Sequence, residues 1–270
     1  MLKLGHITYS NCFPVHAGIL LGKVDFPFTL VEGIPTQLNR MLYEGSVDVS
    51  PSSSIEYAMN PGRYLLLPDL SITSKMKVMS ILLESTVPIE ELGGKTVALT
   101  TASATSVVLL RILLEIRYGV NPGYIVYEQG AEDPSGRADA VLTIGDLALR
   151  KAAGSTYAHR YDLGELWRGF TGLPFVFALW QVGDRKNIHK ELERLYGTLI
   201  KSRRYGVSHL EELAALGGFD VPGPMLLEYW KLFSYGFGDE EREGLLAFYG
   251  YAAEIGAIKA VKKLRFWSGD

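Results

Sequence analysis

Few side chains in this sequence are of conventionally reactive types, and the polar groups that gather at suggestive spacing are mostly neutral. Its 270 residues include one cysteine, five histidines, 27 lysines and arginines and 30 acids, for a net charge of −3. Four short strings place hydroxyls, amides and small residues just ahead of helix-like patterns: Thr8-Tyr9-Ser10-Asn11, Ser50-Pro51-Ser52-Ser53-Ser54, Thr100-Thr101-Ala102-Ser103-Ala104-Thr105-Ser106 and Thr143-Ile144-Gly145-Asp146. A helix start presents orphan N–H groups and partial positive charge, so hydroxyls collected there suit an anion. A hydrogen bond to a charged group contributes roughly 1.5–3 kcal/mol, and several could hold a carboxylate without a lysine. Any one string is also an ordinary helix cap. Four together, none of them basic, point to an anion-binding cleft. Ser80 is a separate signal, because it interrupts the apolar run Val78-Met79-Ser80-Ile81-Leu82-Leu83. Its hydroxyl is either satisfied by nearby backbone or directed into a cleft.

The other candidates are thinner. His6 and His16 lie ten residues apart, which is no recognised metal-ligand spacing. His6 on a strand reads as a hydrogen-bonded core or cleft histidine. Cys12 lacks a CxxC partner, and a free cysteine is more often a small buried hydrophobe than a nucleophile. Asp146 and Asp162 sit where an acid caps a helix, Asp162 ahead of the helix that carries Trp167. His189, His209 and the basic segment 259–265 read as solvated, the last as a helix end.

Positioning four strand–helix junctions around one ligand requires alternating strands and helices. The first 85 residues show that rhythm: strands at 3–8, 26–31, 47–49 and 65–67, helices at 14–21, 35–42 and 51–59. A second block follows, with strands at 95–100, 124–127 and 138–144 and helices at 105–118 and 146–153. Long apolar strands at 77–84 and 175–182 lie between the blocks, and helices are expected at 187–204, 208–216, 222–233 and 239–255. This is an α/β pattern. Two crossings between two α/β blocks predict a two-lobe protein with a two-strand hinge, lobe I being 1–85 with 178–270 and lobe II 86–177. Ligand is then expected in the interlobe cleft. The charge balance lacks the basic face of a nucleic-acid binder, one thiol excludes a disulfide scaffold, and no apolar run is long enough to span a bilayer. The opening residues lack a secretory pattern, so a cytoplasmic location is expected.

Several strings, in order, resemble one family. Gly5-His6-Ile7-Thr8-Tyr9-Ser10-Asn11-Cys12-Phe13-Pro14 is similar to the opening of chorismate dehydratases. Agreement continues through Gly33-Ile34-Pro35, Asp48-Val49-Ser50, Leu67-Pro68-Asp69-Leu70-Ser71-Ile72 and Val78-Met79-Ser80-Ile81-Leu82. It resumes at Ile144-Gly145-Asp146-Leu147, Tyr161-Asp162-Leu163-Gly164 and Thr171-Gly172-Leu173-Pro174-Phe175-Val176-Phe177-Ala178 with Trp180, while the helical C-terminus agrees only in character. The resemblance implies a periplasmic-binding-protein type II fold, cytoplasmic work on the futalosine route to menaquinone, and dehydration of the chorismate dianion to 3-[(1-carboxyvinyl)oxy]benzoate. It implies neither metal nor organic cofactor. It makes Asn11 and Ser80 the functionally critical positions, with Ser52, Ser53, Ser103, Thr105 and Ser106 as substrate contacts. His6, Gly145 and Asp146 complete the expected contact set.

Dehydration of chorismate removes the ring C3 proton and the C4 hydroxyl. Neither Asn11 nor Ser80 is a strong base, so the expected acceptor is the substrate's own enolpyruvyl carboxylate, with His6 as the protein-side rival. Two other functions stay open on sequence: a cytoplasmic solute-binding or sensing module for a small carboxylate, and the sister enzyme that makes 1,4-dihydroxy-6-naphthoate. Oligomeric state has no sequence signal here.

Overall fold

The computed structural model describes residues 1–151, 157–183, 189–261 and 263–269. In chain order it contains β1 Lys3–Ile7, α1 Phe13–Leu20, β2 Thr29–Gly33, α2 Pro35–Glu44, β3 Val49–Ser53, α3 Ser54–Met59, β4 Tyr64–Ser74 and β5 Ile81–Ser85. There follow β6 Thr96–Thr100, α4 Ala104–Ile112, β7 Gly123–Tyr127, β8 Ala140–Ile144, α5 Gly145–Lys151, β9 His159–Asp162 and α6 Leu163–Thr171. The remainder is β10 Phe175–Gly183, α7 His189–Ser208, α8 Leu210–Ala215, α9 Gly223–Lys231, β11 Phe233–Ser234 and α10 Asp239–Glu254. The ends expected for two helices, 152–153 and 187–188, lie outside the described residues.

Strand pairing forms two sheets, one ordered β11-β4-β10-β3-β1-β2 and the other β7-β6-β8-β5-β9. β1 runs parallel to β2 and β3, and β6 parallel to β7 and β8, as strand–helix–strand units require. The first sheet is buried under α1 and the C-terminal helices. Trp167 of α6, Trp180 of β10 and Trp230 of α9 are among the largest fully buried side chains of the described residues. α7 crosses α1 at glycine: a Cβ on Gly206 would lie 1.8 Å from the Pro14 carbonyl oxygen. That contact seats α1, and with it the loop that carries Asn11.

The structure redraws the connection between the sheets. The strand expected at 77–84 forms only from Ile81, and β5 pairs wholly within the second sheet. β10 pairs wholly within the first. Pairing therefore gives 81–85 to the second sheet and 175–177 to the first, against the division expected from sequence at 85 and 177. The chain crosses through the short segment 75–80 and returns through α6, not along two continuous strands. The cause lies at the crossing: Met79 adopts φ +57°, outside the strand region, and the distant Asp162 carboxylate collects the Val78 and Met79 N–H groups at 2.6–3.0 Å. Asp162 also caps α6, as expected, accepting from Gly164 N at 2.9 Å and Glu165 N at 3.2 Å.

Three further departures have physical causes. β4 runs on past Pro68 to Ser74 because the β10–β4 register shifts there; a proline without N–H is tolerated at such an irregularity. β3 extends to Ser53 because β10 pairs with it antiparallel, so Ser52 and Ser53 are strand residues and the helix expected from Pro51 begins at Ser54. The basic segment expected to end a helix is instead laid along β4, with Leu66 N donating to Arg265 O and Trp267 N to Leu66 O, both at 2.9 Å.

Candidate active site

A small cavity of about 50 Å³ is lined by residues from both sheets and their junctions. Asn11, Ser53, Ser80, Ser103, Ser106 and Gly145 contribute its expected polar wall, while Ile7, Ile72, Ile81, Ile144 and Phe177 are among its apolar lining. None of the lining side chains is charged. Pockets for small molecules usually enclose roughly 300–1,000 Å³. The space here is that of a shut cleft.

Elementary periodicity explains which expected residues reach the cavity. Successive strand residues face opposite ways, so on β1 Ile7 lines the cavity while His6 turns to α1, and on β3 Ser53 lines it while Ser52 does not. The Ser52 hydroxyl is buried without a hydrogen-bond partner among the described residues. Residues three apart on a helix share a face. Ser103, the N-cap of α4, and Ser106 both line the cavity and bond each other, hydroxyl to hydroxyl at 2.9 Å. Thr105 faces away and accepts from Ile55 N at 3.2 Å.

Asp146 also lies off the cavity wall. Its carboxylate accepts from the Ser10 hydroxyl at 2.5 Å and from Ser10 N at 3.1 and 3.2 Å. Thr105 with Ile55, and Asp146 with Ser10, therefore tie α4 and α5 of the second sheet to α3 and to the loop after β1. Burial raises the Asp146 carboxyl above its ordinary pKa, a shift opposed by the Ser10 hydrogen bonds. Tyr9, which the sequence reading did not single out, completes the wall. Its ring lies over Gly145, whose φ of +66° and lack of a Cβ both permit the approach; a Cβ there would meet the ring at 3.2 Å. Burial, with Asp146 nearby, pushes the Tyr9 phenol up to about 12, so it remains a donor and not a phenolate at neutral pH.

The two positions expected to be critical, Asn11 and Ser80, are mounted differently. The Asn11 side chain is half-buried, and its Oδ1 is buried without a partner among the described residues. An unmatched buried acceptor costs about 1–3 kcal/mol, and Asn11 stands in the cavity wall. Ser80 follows the Met79 turn, which aims it inward. Gly145 N donates to the Ser80 carbonyl at 2.7 Å, and the Ser80 hydroxyl accepts from Tyr229 at 2.7 Å.

The family described as menaquinone biosynthesis matches residues 2–254, a span that includes every lining residue of this cavity. The chain belongs to that family. A chorismate dehydratase from Thermus thermophilus is 34% identical over 263 residues, covering 91% of this chain and 93% of the relative. Among solved structures, a protein from Archaeoglobus fulgidus superposes with a TM-score of 0.75 at 17% identity, covering 95% of this chain and 98% of its own. The periplasmic aliphatic sulphonate binding protein of Escherichia coli gives 0.63 at 16% identity, covering 100% and 94%. At such identities the structural likeness is one of fold: the two-sheet periplasmic-binding-protein architecture expected from the sequence.

Directly behind the cavity wall of this menaquinone-biosynthesis family member lies a second cluster, one that sequence spacing did not predict. The Nδ1 atoms of His6 and His16 are 2.8 Å apart, and ligand atoms of His6, Cys12 and His16 all fall within 4.8 Å of one another. Burial lowers the pKa of His6 and takes that of His16 well below its ordinary value. Two neutral imidazoles then share one N–H···N hydrogen bond. Two nitrogens on a single tetrahedral zinc, each at about 2.0–2.1 Å, would stand farther apart, and burial pushes the Cys12 thiol up to about 12. As folded, the cluster is a hydrogen-bonded pair beside a buried thiol and not a formed metal centre.

Proposed function

We propose that this chain is a chorismate dehydratase, removing water from the chorismate dianion to give 3-[(1-carboxyvinyl)oxy]benzoate in the cytoplasm, on the futalosine route to menaquinone. The observation that carries the reading is the 34% identity to a chorismate dehydratase across 91% of the chain. The character of the cavity supports it. Its hydroxyls suit carboxylates, and its apolar residues suit a six-membered ring.

In this reading the cleft opens to admit substrate and closes to exclude water, as two-lobe proteins do. Asn11 offers Oδ1 to a substrate hydroxyl, and Ser80 directs its O–H toward charge developing in the transition state. Ser53, Ser103 and Ser106 hold the carboxylates. No lining side chain is a base at neutral pH. The ring C3 proton therefore passes to the enolpyruvyl carboxylate of the substrate, desolvated by closure; that carboxyl returns it to the departing C4 hydroxyl, which leaves as water while the C3–H electron pair completes the aromatic ring. His6 is the weaker rival, because its Nδ1 is engaged with His16 and its basicity is lowered by burial.

Incubating the purified protein with chorismate tests the function directly. The expected product is lighter than chorismate by one water, judged by mass spectrometry. Tight binding without turnover would instead place the chain with the solute-binding proteins of the same fold.

A further inference from the structure

The C-terminal helices are the part of the chain least legible from sequence, yet α9 reaches both sides of the site. Tyr229 and Trp230 are adjacent on that helix and both fully buried. The Trp230 indole N–H donates to the Ser10 carbonyl at 2.8 Å, next to Asn11, and the Tyr229 hydroxyl donates to Ser80 Oγ at 2.7 Å. Neither lines the cavity.

We infer that Tyr229 is a positioning residue for the dehydration, fixing Ser80 as a hydrogen-bond donor into the cavity. The inference rests on the proposed role of Ser80. A phenol carries one proton, and the only described hydrogen-bond partner of the Tyr229 hydroxyl is Ser80 Oγ. That proton is therefore spent on a Ser80 lone pair. Ser80 cannot return its own proton along the same line, and its hydroxyl is otherwise bounded by the cavity it lines. Its hydrogen points to the ligand. Burial raises the Tyr229 phenol far above its usual range, so the arrangement holds across the pH range in which the protein is folded. Donation into Ser80 Oγ also polarises the Ser80 O–H, as hydrogen bonds in a chain reinforce one another.

The size of the effect follows from the rotor. A serine hydroxyl has three staggered positions, so freeing it costs about threefold, and losing the polarisation extends this to roughly tenfold. Steady-state kinetics with chorismate on the wild type, Tyr229→Phe, Ser80→Ala and the double variant test the inference. The expected result is a kcat about threefold to tenfold lower for Tyr229→Phe, with KM within about twofold, since ground-state contacts are retained. Ser80→Ala alone should lose about 100-fold or more, and adding Tyr229→Phe to it should change nothing further. A double variant that falls by the product of the two losses, or a Tyr229→Phe enzyme with wild-type kcat, overturns the inference.

If Ser80→Ala keeps full activity, the reading of the site fails instead, and the two failures are separate. Neutron diffraction on the deuterated wild type decides the inference without turnover or substitution. The Tyr229 deuteron should lie on the line to Ser80 Oγ, with the Ser80 deuteron directed into the cavity; a Ser80 deuteron on that line refutes it.

Discussion

Two clusters share the loop that follows β1, and they differ in nearly every respect that matters for chemistry. His6, Cys12 and His16 have the reactive side-chain types, but the imidazoles are spent on each other and the thiol is sealed in the core. Asn11 and Ser80 are bland by type, yet one presents an unmatched acceptor to the cavity and the other is gripped from behind so that its free end faces inward. In the proposed mechanism, reactivity follows from unspent hydrogen-bonding capacity and access, not from the intrinsic strength of an acid or base. A substrate that becomes aromatic on losing water supplies its own driving force, and a neutral cavity suffices to hold it.

That contrast breaks most visibly at Asn11. Asn11→Ala should lower kcat for chorismate about 100-fold or more, while unfolding free energy stays within about 1 kcal/mol, because it removes a buried acceptor that has no protein partner to lose. Equal losses of activity and of stability in denaturant titration would make Asn11 structural. The opposite signature is expected at His6→Gln: stability falls by about 1–3 kcal/mol as the His16 Nδ1 loses its partner, with kcat within about threefold of wild type. Abolished turnover with intact binding would install His6 as the base.

The histidine pair also sets a pH dependence of stability. Both folded pKa values lie below the unfolded value near 6.5, so below that pH the unfolded chain binds protons that the folded chain refuses. Stability contributed by the pair is complete above about pH 6.5 and falls as pH drops, by up to about 1.4 kcal/mol per pH unit for each histidine. Thermal midpoints between pH 7 and 5 should decline less steeply in a His6→Gln/His16→Gln variant; an unchanged slope would remove the pair from the account. The smallest effect is expected at Cys12. Cys12→Ala should keep kcat within about twofold, and the native thiol should resist maleimide at pH 7.5 until the protein is unfolded.

How much was legible in advance depended on how local the cause was. The strand–helix alternation, the Asp162 cap and the four polar junctions were visible because backbone periodicity and capping act over a few residues. Pro51 and the serines of Ser50–Ser54 resemble a helix start; pairing with β10, from more than a hundred residues away, makes Ser50–Ser53 a strand. The sequence pattern predicts a continuous strand at 77–84 because nothing nearby in sequence marks the Met79 turn, whose backbone is held by Asp162. The family resemblance groups Ser52 and Thr105 with Ser53, Ser103 and Ser106, and the faces of strand and helix separate them.

The resemblance to chorismate dehydratases nominates Asn11 and Ser80; by itself, the sequence determined that the protein would be an α/β molecule with a lightly charged, hydroxyl-rich set of junctions. Those properties follow from residue type and short-range geometry. Only the tertiary structure decided which hydroxyls face the cavity, that His6 and His16 meet, that Asp146 binds Ser10, and that Tyr229 stands behind Ser80. The physical reason is that a buried polar group is defined by its partner. The partner of Ser80 lies 149 residues along the chain, where no local pattern can announce it.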